Sequence, residues 1–270
     1  MKKILLATTL LAASSTVALA DAHMTWGADA AAGIADFTGT GFAPYSSAGL
    51  SMDLSGATDG GLTFGTSFSL TTGTSFDIDD GFAAESGAFG GATAFISGSF
   101  GKLEFSDAGF DFEEDSTTGD VKYSGKFGMF GVSLISDIDS GAMQLGADFA
   151  VGAVSVTATA DSEDFFDVGA EFKVNDSITV SASTNENSDA VVGAAMTFGS
   201  ISASADFNTS DESVDLSLGY AANGLSVDFS TNTVAEDYNV TIGYDLGGGL
   251  ALTAATNDLD TIQVGATMAF

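Results

Sequence analysis

From residue 50 onward, apolar and small polar residues change places at nearly every step over short runs, and this period of two constrains the chain more than any other feature. Residues 177–183 read Ser-Ile-Thr-Val-Ser-Ala-Ser, and residues 261–270 read Thr-Ile-Gln-Val-Gly-Ala-Thr-Met-Ala-Phe. The runs 215–218, 226–230 and 239–244 behave alike. Consecutive side chains of a strand point to opposite faces, so each run has one apolar and one polar face. Helical spacing of apolar residues is not sustained after residue 20, while Thr, Val and Gly-rich turns abound; the chain is therefore read as all-β.

Composition bears on what covers the apolar faces. The formal net charge is −31 and there is no arginine, yet 45% of the residues are hydrophobic and 22 of them are Phe. Acidic disordered chains lack that apolar share. A soluble protein would hide it between sheets, whereas a barrel in lipid turns it outward and keeps its charges in the lumen and loops. So negative a field repels phosphate backbones, which excludes nucleic acid as a main partner.

Residues 1–20 read as a secretory signal peptide: Lys2 and Lys3, an apolar run over 4–12, then Ala18-Leu19-Ala20 as the cleavage site. Residues 21–270 are then a single domain. The apolar run is too brief to cross ~30 Å of hydrocarbon, and no later stretch reaches the ~18 apolar residues of a spanning helix. In a membrane, such a chain can only be a closed barrel.

The connections support this. Tight turns near Gly101, Gly152, Asp176, Gly199, Gly224 and Gly248 alternate with longer acidic links at 161–165, 185–189, 209–213 and 234–237, and the largest links are 72–91 and 107–119. Short periplasmic turns opposite longer outer loops are the membrane-barrel pattern. Phe100, Phe127, Phe149, Phe172, Phe198, Tyr220, Tyr244 and Phe270 recur every 22 to 27 residues, one per hairpin, as an aromatic girdle at one interface would. Nine hairpins predict a transmembrane antiparallel β-barrel of 16–18 strands. Barrels of that size enclose water rather than a packed core.

Chemistry of other kinds lacks its residues. His23 is the one imidazole and there is no cysteine, so Ser-His-Asp catalysis, zinc and disulfides are all unsupported. No phosphate-cradling glycine pattern stands in a strand-to-helix context. No catalytic residue is assigned, and an enzyme is not expected. The carboxylates Asp77, Asp79, Asp80 and Glu85, or those at 111–115, offer oxygen ligands for Ca²⁺ but lack EF-hand spacing; they read first as ordinary loop acids, and no cofactor is expected.

The segment Ser-Gly-Ser-Phe-Gly-Lys-Leu-Glu-Phe-Ser-Asp-Ala-Gly at 97–109 and the terminal Phe270, preceded by Ile262, Val264, Ala266 and Met268, resemble Gram-negative general porins, particularly the alphaproteobacterial, Rhodobacter-like outer-membrane porins. The resemblance implies a channel in the cell outer membrane of a Gram-negative bacterium, for passive diffusion of small hydrophilic solutes and ions. It implies a homotrimer in outer-membrane lipid, and Phe270 as the signal read by the barrel-assembly machinery. It also implies that the third long loop, 107–119, folds into the lumen. Asp107, Asp111, Glu113, Glu114 and Asp115 would then form one side of the constriction, with Lys122 and Lys126 across from them.

Alternation turns Lys102, Glu104, Asp148 and Glu171 to the pore lining, together with Asp29, Asp53, Asp206, Asp215, Asp228 and Asp245. Opposed charges across a narrow opening orient polar solutes, and rings of charge select ions. Such porins present an arginine cluster at the constriction and this chain has none, which weakens the transverse field that the resemblance implies. With so few cations to offset the lumen-facing acids, cation preference is expected, and acid enrichment for a saline habitat would explain the same residues. Small outward residues of the first strand, Ala28, Ala30, Ala32 and Ile34, suit a subunit contact. The alternative is an exported acidic β-sandwich or surface adhesin without a pore, which would bury its Val, Leu and Phe between two sheets.

Overall fold

The computed structural model describes residues 21–113, 118–162 and 164–270; the predicted signal peptide lies outside them. No helix occurs among the described residues. The first strands are β1 (Asp21–Asp36), β2 (Phe42–Ala57), β3 (Thr63–Asp77), β4 (Gly81–Phe89), β5 (Thr93–Gly98), β6 (Gly101–Asp111), β7 (Thr118–Phe127), β8 (Phe130–Ser136) and β9 (Met143–Val151). They continue as β10 (Val154–Asp161), β11 (Phe166–Asn175), β12 (Ile178–Asn185), β13 (Ala190–Phe198), β14 (Ile201–Asn208), β15 (Val214–Ala222), β16 (Leu225–Asn232), β17 (Tyr238–Gly247), β18 (Leu250–Asn257) and β19 (Ile262–Ala269).

β4 and β5 both pair with β3 and are halves of one stave interrupted at residues 90–92, so the sheet is an 18-strand antiparallel barrel. It closes where β19 returns to β1, from Asp36 opposite Ile262 to Asp29 opposite Ala269. Closure leaves no row of unpaired amides and carbonyls, which hydrocarbon would not tolerate. The staves tilt strongly. Met24, near one end of β1, is level with Leu54, Thr66, Ala94, Phe105, Val121, Ser136 and finally Met143, which begins β9 at the opposite rim.

Sidedness follows the period of two. The outer face is apolar and exposed, with Trp26, Ile34, Leu218, Ile242 and Val264 among its residues. Facing positions of neighbouring strands share a face, and rung by rung the opposite set is small and polar. Asp53 meets Ser67, Ser181 meets Gly193, Ser202 meets Gly219, and Asp228 meets Thr241. The expected girdle is present: Phe100, Phe127, Phe172, Phe198, Tyr220, Tyr244 and Phe270 are all exposed near the tight turns. Phe149 stacks on Phe130 with ring centroids 4.9 Å apart. These turns use ordinary hairpin chemistry, as at Asn223-Gly224, where both residues have the positive φ of a two-residue primed turn.

At the other rim, most of the strands that run toward it end on Asp or Asn, and in several the side chain caps the loop that follows. Asp77 Oδ1 accepts the amides of Asp79 and Asp80, and Asn185 Oδ1 those of Asn187 and Asp189. Asn232 Oδ1 accepts Val234 and Ala235, and Asn257 Oδ1 accepts Leu259 and Thr261. These are Asx turns, which set a loop locally. In the loop after β14, the hydroxyl and then the amide of Ser213 hold the Asp211 carboxyl below its ordinary pKa.

Three boundaries differ from the sequence reading. The link expected at 72–91 is mostly the hairpin of β3 and β4. The loop expected at 107–119 is paired at both ends, Phe110 with Gly119 and Asp111 with Thr118, and its extra residues form a bulge after Phe105. The turn expected at Gly101 lies at residues 99–100, because Gly98 and Gly101 already face each other. In each case backbone pairing runs further than side-chain composition suggests, since every added rung satisfies two more polar groups.

The seam between β19 and β1 is pressed flat by glycine. A Cβ at Gly265 would collide with the Tyr45 hydroxyl and lie 2.9 Å from the carbonyl oxygen of Ala32. Gly265→Val is therefore expected to cost ~1–3 kcal/mol through overpacking. The lowered midpoint of heat-induced unfolding, followed by the gel shift of the folded barrel, measures this.

Candidate functional site

The lumen is the one large polar interior of the described structure, and two inward elements shape it. The first is the end of the β6–β7 hairpin. Beyond the bulge, Phe112 is buried against Ile135 and Ala142, with Phe110 beside it. Ile135 lies on the rung of Lys122 and Gln144, hence on the inner face. The amide of Glu113 donates to Gln144 Oε1 at 2.7 Å. The described residues 110–113 thus lean over the inner wall of β8 and β9, on the side where the inward loop is expected.

The rings, not the acids, make these wall contacts. Asp111 stands between Phe110 and Phe112 and by alternation projects from the hairpin surface turned away from the wall. Asp107 sits in the bulge, where its carboxylate closes on Gly91 in the gap between β4 and β5. Asp107, Asp111 and Glu113 are all exposed. Glu114 and Asp115 lie outside the described residues.

The lysines sit on the inner face of the same sector. Lys102 Nζ pairs with Glu104 at 2.6 Å and lies 4.7 Å from the centroid of the Phe95 ring. Glu104 shares a rung with Lys122, whose Nζ lies 5.8 Å from the Phe110 ring. Lys126, Gly131 and Asp148 form one rung, and the Asp148 carboxylate rests where a Gly131 side chain would be. Glu171 is half-buried on the rung of Ser155 and Ser181. This sector is therefore cationic and aromatic together, and Lys102 is already neutralised by its neighbour.

The second inward element is the β3–β4 hairpin, whose role composition did not reveal. β3 leaves β2 after Thr74 and pairs only with β4 as far as Asp77 opposite Gly81. The freed end folds back over the inner wall. Phe76 stacks on Tyr45 with centroids 5.7 Å apart and meets Phe37 and Phe82 edge-on at 6.4 and 4.8 Å. Asn257, far off on β18, donates from Nδ2 to the Ile78 carbonyl at 3.0 Å and to Asp79 at 3.3 Å. Ala35, Tyr45, Asn257 and Thr261 are buried beneath it. The signal lay in Gly33 and Gly265, which leave room for the Tyr45 hydroxyl where it accepts from Gln263 Nε2 at 2.9 Å.

From β10 to β17 the inner wall is left uncovered by the described residues of either element. It carries Ser, Thr and Asp, and between β13 and β17 it is indented by a hollow of ≈ 560 Å³ lined by Ser202, Ser204, Ser217, Asp228, Ser230 and Thr241 among others. Asp206 stands opposite Asp215, which accepts a hydrogen bond from Asn232 at 2.7 Å. Asp245, near the end of β17, shares this face, and Asp29 and Asp53 share the inner face elsewhere. Among the described residues, no three His, Cys, Asp or Glu side chains converge to hold a metal ion.

At the ends of the chain, Phe270 is exposed on the outer face while its amide donates to the Ala28 carbonyl at 2.8 Å. Ala28, Ala30, Ala32 and Ile34 fall on the outer face of β1, as the alternation predicted.

No protein-family model matches the sequence, and no curated protein does. Solved structures do. A triple mutant of the porin of Rhodopseudomonas blastica aligns over 92% of this chain and 100% of its own, with a TM-score of 0.56 and 16% identity. OccK8 (OprE) of Pseudomonas aeruginosa aligns over 93% of this chain and 98% of its own, with a TM-score of 0.64 and 9% identity. The fold of this chain is that of the bacterial porins.

Proposed function

We propose that the protein is an outer-membrane channel for passive diffusion of small hydrophilic solutes and ions, with a preference for cations. The observation that carries this reading is the closed sheet whose large apolar side chains face outward and whose polar set faces inward, with one broad sector of the inner wall uncovered. An apolar exterior with an aromatic girdle suits hydrocarbon bounded by headgroups. The soluble sandwich or adhesin is disfavoured by the same fact, since the apolar side chains would then have to lie between two sheets.

Cation preference follows from the charges of the uncovered sector. Asp206, Asp215, Asp228 and Asp245 crowd that wall, while Lys102, Lys122 and Lys126 gather on β6 and β7. A narrow passage with walls of low dielectric concentrates ions of the opposite sign. Within this reading, Asp107, Asp111, Glu113, Glu114 and Asp115 form the acidic side of a constriction, with Lys122 and Lys126 across it. Phe270 serves the assembly machinery, and the small outer face of β1 packs subunits into a trimer.

Purified protein added to a planar lipid bilayer is expected to give discrete ohmic current steps, with a reversal potential of cationic sign in a salt gradient. An anionic sign would overturn the selectivity; an absence of current, with free solubility in plain buffer, would overturn the channel. Lys122→Ala combined with Lys126→Ala should move the reversal potential further toward cation preference. Chemical crosslinking in detergent should trap three copies, and a ladder ending at one copy would remove the trimer.

A further inference from the structure

We propose that the bent β3–β4 hairpin is an arm laid inside the barrel that sets the cross-section and ion preference of the channel, a role expected from sequence for the β6–β7 loop alone. This rests on the channel reading above and makes it specific. Four observations point the same way. The arm has a bend: Gly73 has φ +106° and its missing side chain lets the backbone close on the Ser46 carbonyl, while Gly87 at φ +65° faces Thr72 across the hairpin. The register also shifts there, between Leu70 and Thr72. Positive-φ glycines on both strands, close to each other along the hairpin, let both strands turn out of the wall at nearly the same level.

The arm also has a dock. Phe76 seats on Tyr45, which is itself 5% exposed, and the tip is fastened to Asn257, which is 2% exposed. Asn257 uses both ends of its amide, donating to Ile78 and Asp79 while accepting from Leu259 and Thr261. A buried amide with its capacity filled in this way fixes one position of the tip, because any other leaves polar groups unmatched.

What lies beneath the arm is also informative. Ala35, Tyr45, Asn257 and Thr261 belong to the inner face of β1, β2, β18 and the start of β19, where an unobstructed barrel would be wet, yet they are among the most buried residues of the chain. The arm therefore takes up lumen along this sector, as Phe110 and Phe112 do over β8 and β9. Solute is left the space against β10 to β17. The arm adds charge to that space: with Phe76 turned to the wall, alternation puts Ser75, Asp77, Ala83 and Glu85 on the surface away from it.

The experiment uses the full-length protein in planar bilayers, with heat-dependent gel mobility as the check that each variant is a folded barrel. Replacing residues 76–82 by a two-glycine turn is expected to raise single-channel conductance on the order of twofold, since conduction follows the open section. Because the chain has no cysteine, Ala83→Cys gives a second and milder probe. Its reaction with a bulky cationic thiol reagent should lower the conductance of open channels in steps and shift the reversal potential toward anions. If the folded variants conduct, but neither shortening the arm nor labelling Ala83→Cys changes conductance or reversal potential, the arm is not the narrowing element and the proposal falls while the channel stands. If the unaltered protein gives no current, the channel reading itself fails.

Discussion

Hydrocarbon offers no partner to an amide or a carbonyl, and the whole architecture answers to that deficit. A sheet with free edges would leave two rows of polar groups against lipid; joining β19 to β1 removes both. The strands run past the points where composition looks loop-like for the same reason, as at Thr72–Asp77 and Phe110–Asp111. Closure also decides where specificity can reside. A ring of paired backbone cannot widen or narrow without breaking rungs, so the size of the opening has to be adjusted by segments laid inside it.

Much of the wall was legible beforehand because a strand has only two faces. Once Val264 is outward, Gln263 and Gly265 must be inward, and the same parity carried through every run that alternated cleanly. It placed Asp148, Glu171 and Asp228 on the same side without any knowledge of distance. The aromatic positions beside the tight turns were equally readable, because each hairpin repeats the same short program of strand, ring and turn.

Parity says nothing about where an element goes once it leaves the wall. Nothing in the sequence singles out Tyr45 or Asn257, and only the folded chain brings Phe76 onto one and Ile78 onto the other. Sequence separations of this size leave no local trace; a loop of ordinary composition and a docked arm read alike. The same limit applied to the β6–β7 end, where the acids drew notice but the buried contacts are made by Phe110 and Phe112. Charges are conspicuous in a string of letters, whereas apolar anchoring depends on what happens to be opposite.

The Asp and Asn residues that end the strands at the outer rim have a wider consequence. They shape each loop from within four or five residues, as Asn185 and Asn232 do, while Asn232 also donates to Asp215 on the neighbouring hairpin. The shape of each loop is thus written largely in its own residues. A change inside one surface segment is met first by its own capping side chain, before it reaches the adjoining segments or the cylinder that bears them. The segment moored to Asn257 is tied across a longer stretch of the rim, since drift at its tip obliges a matching change on β18.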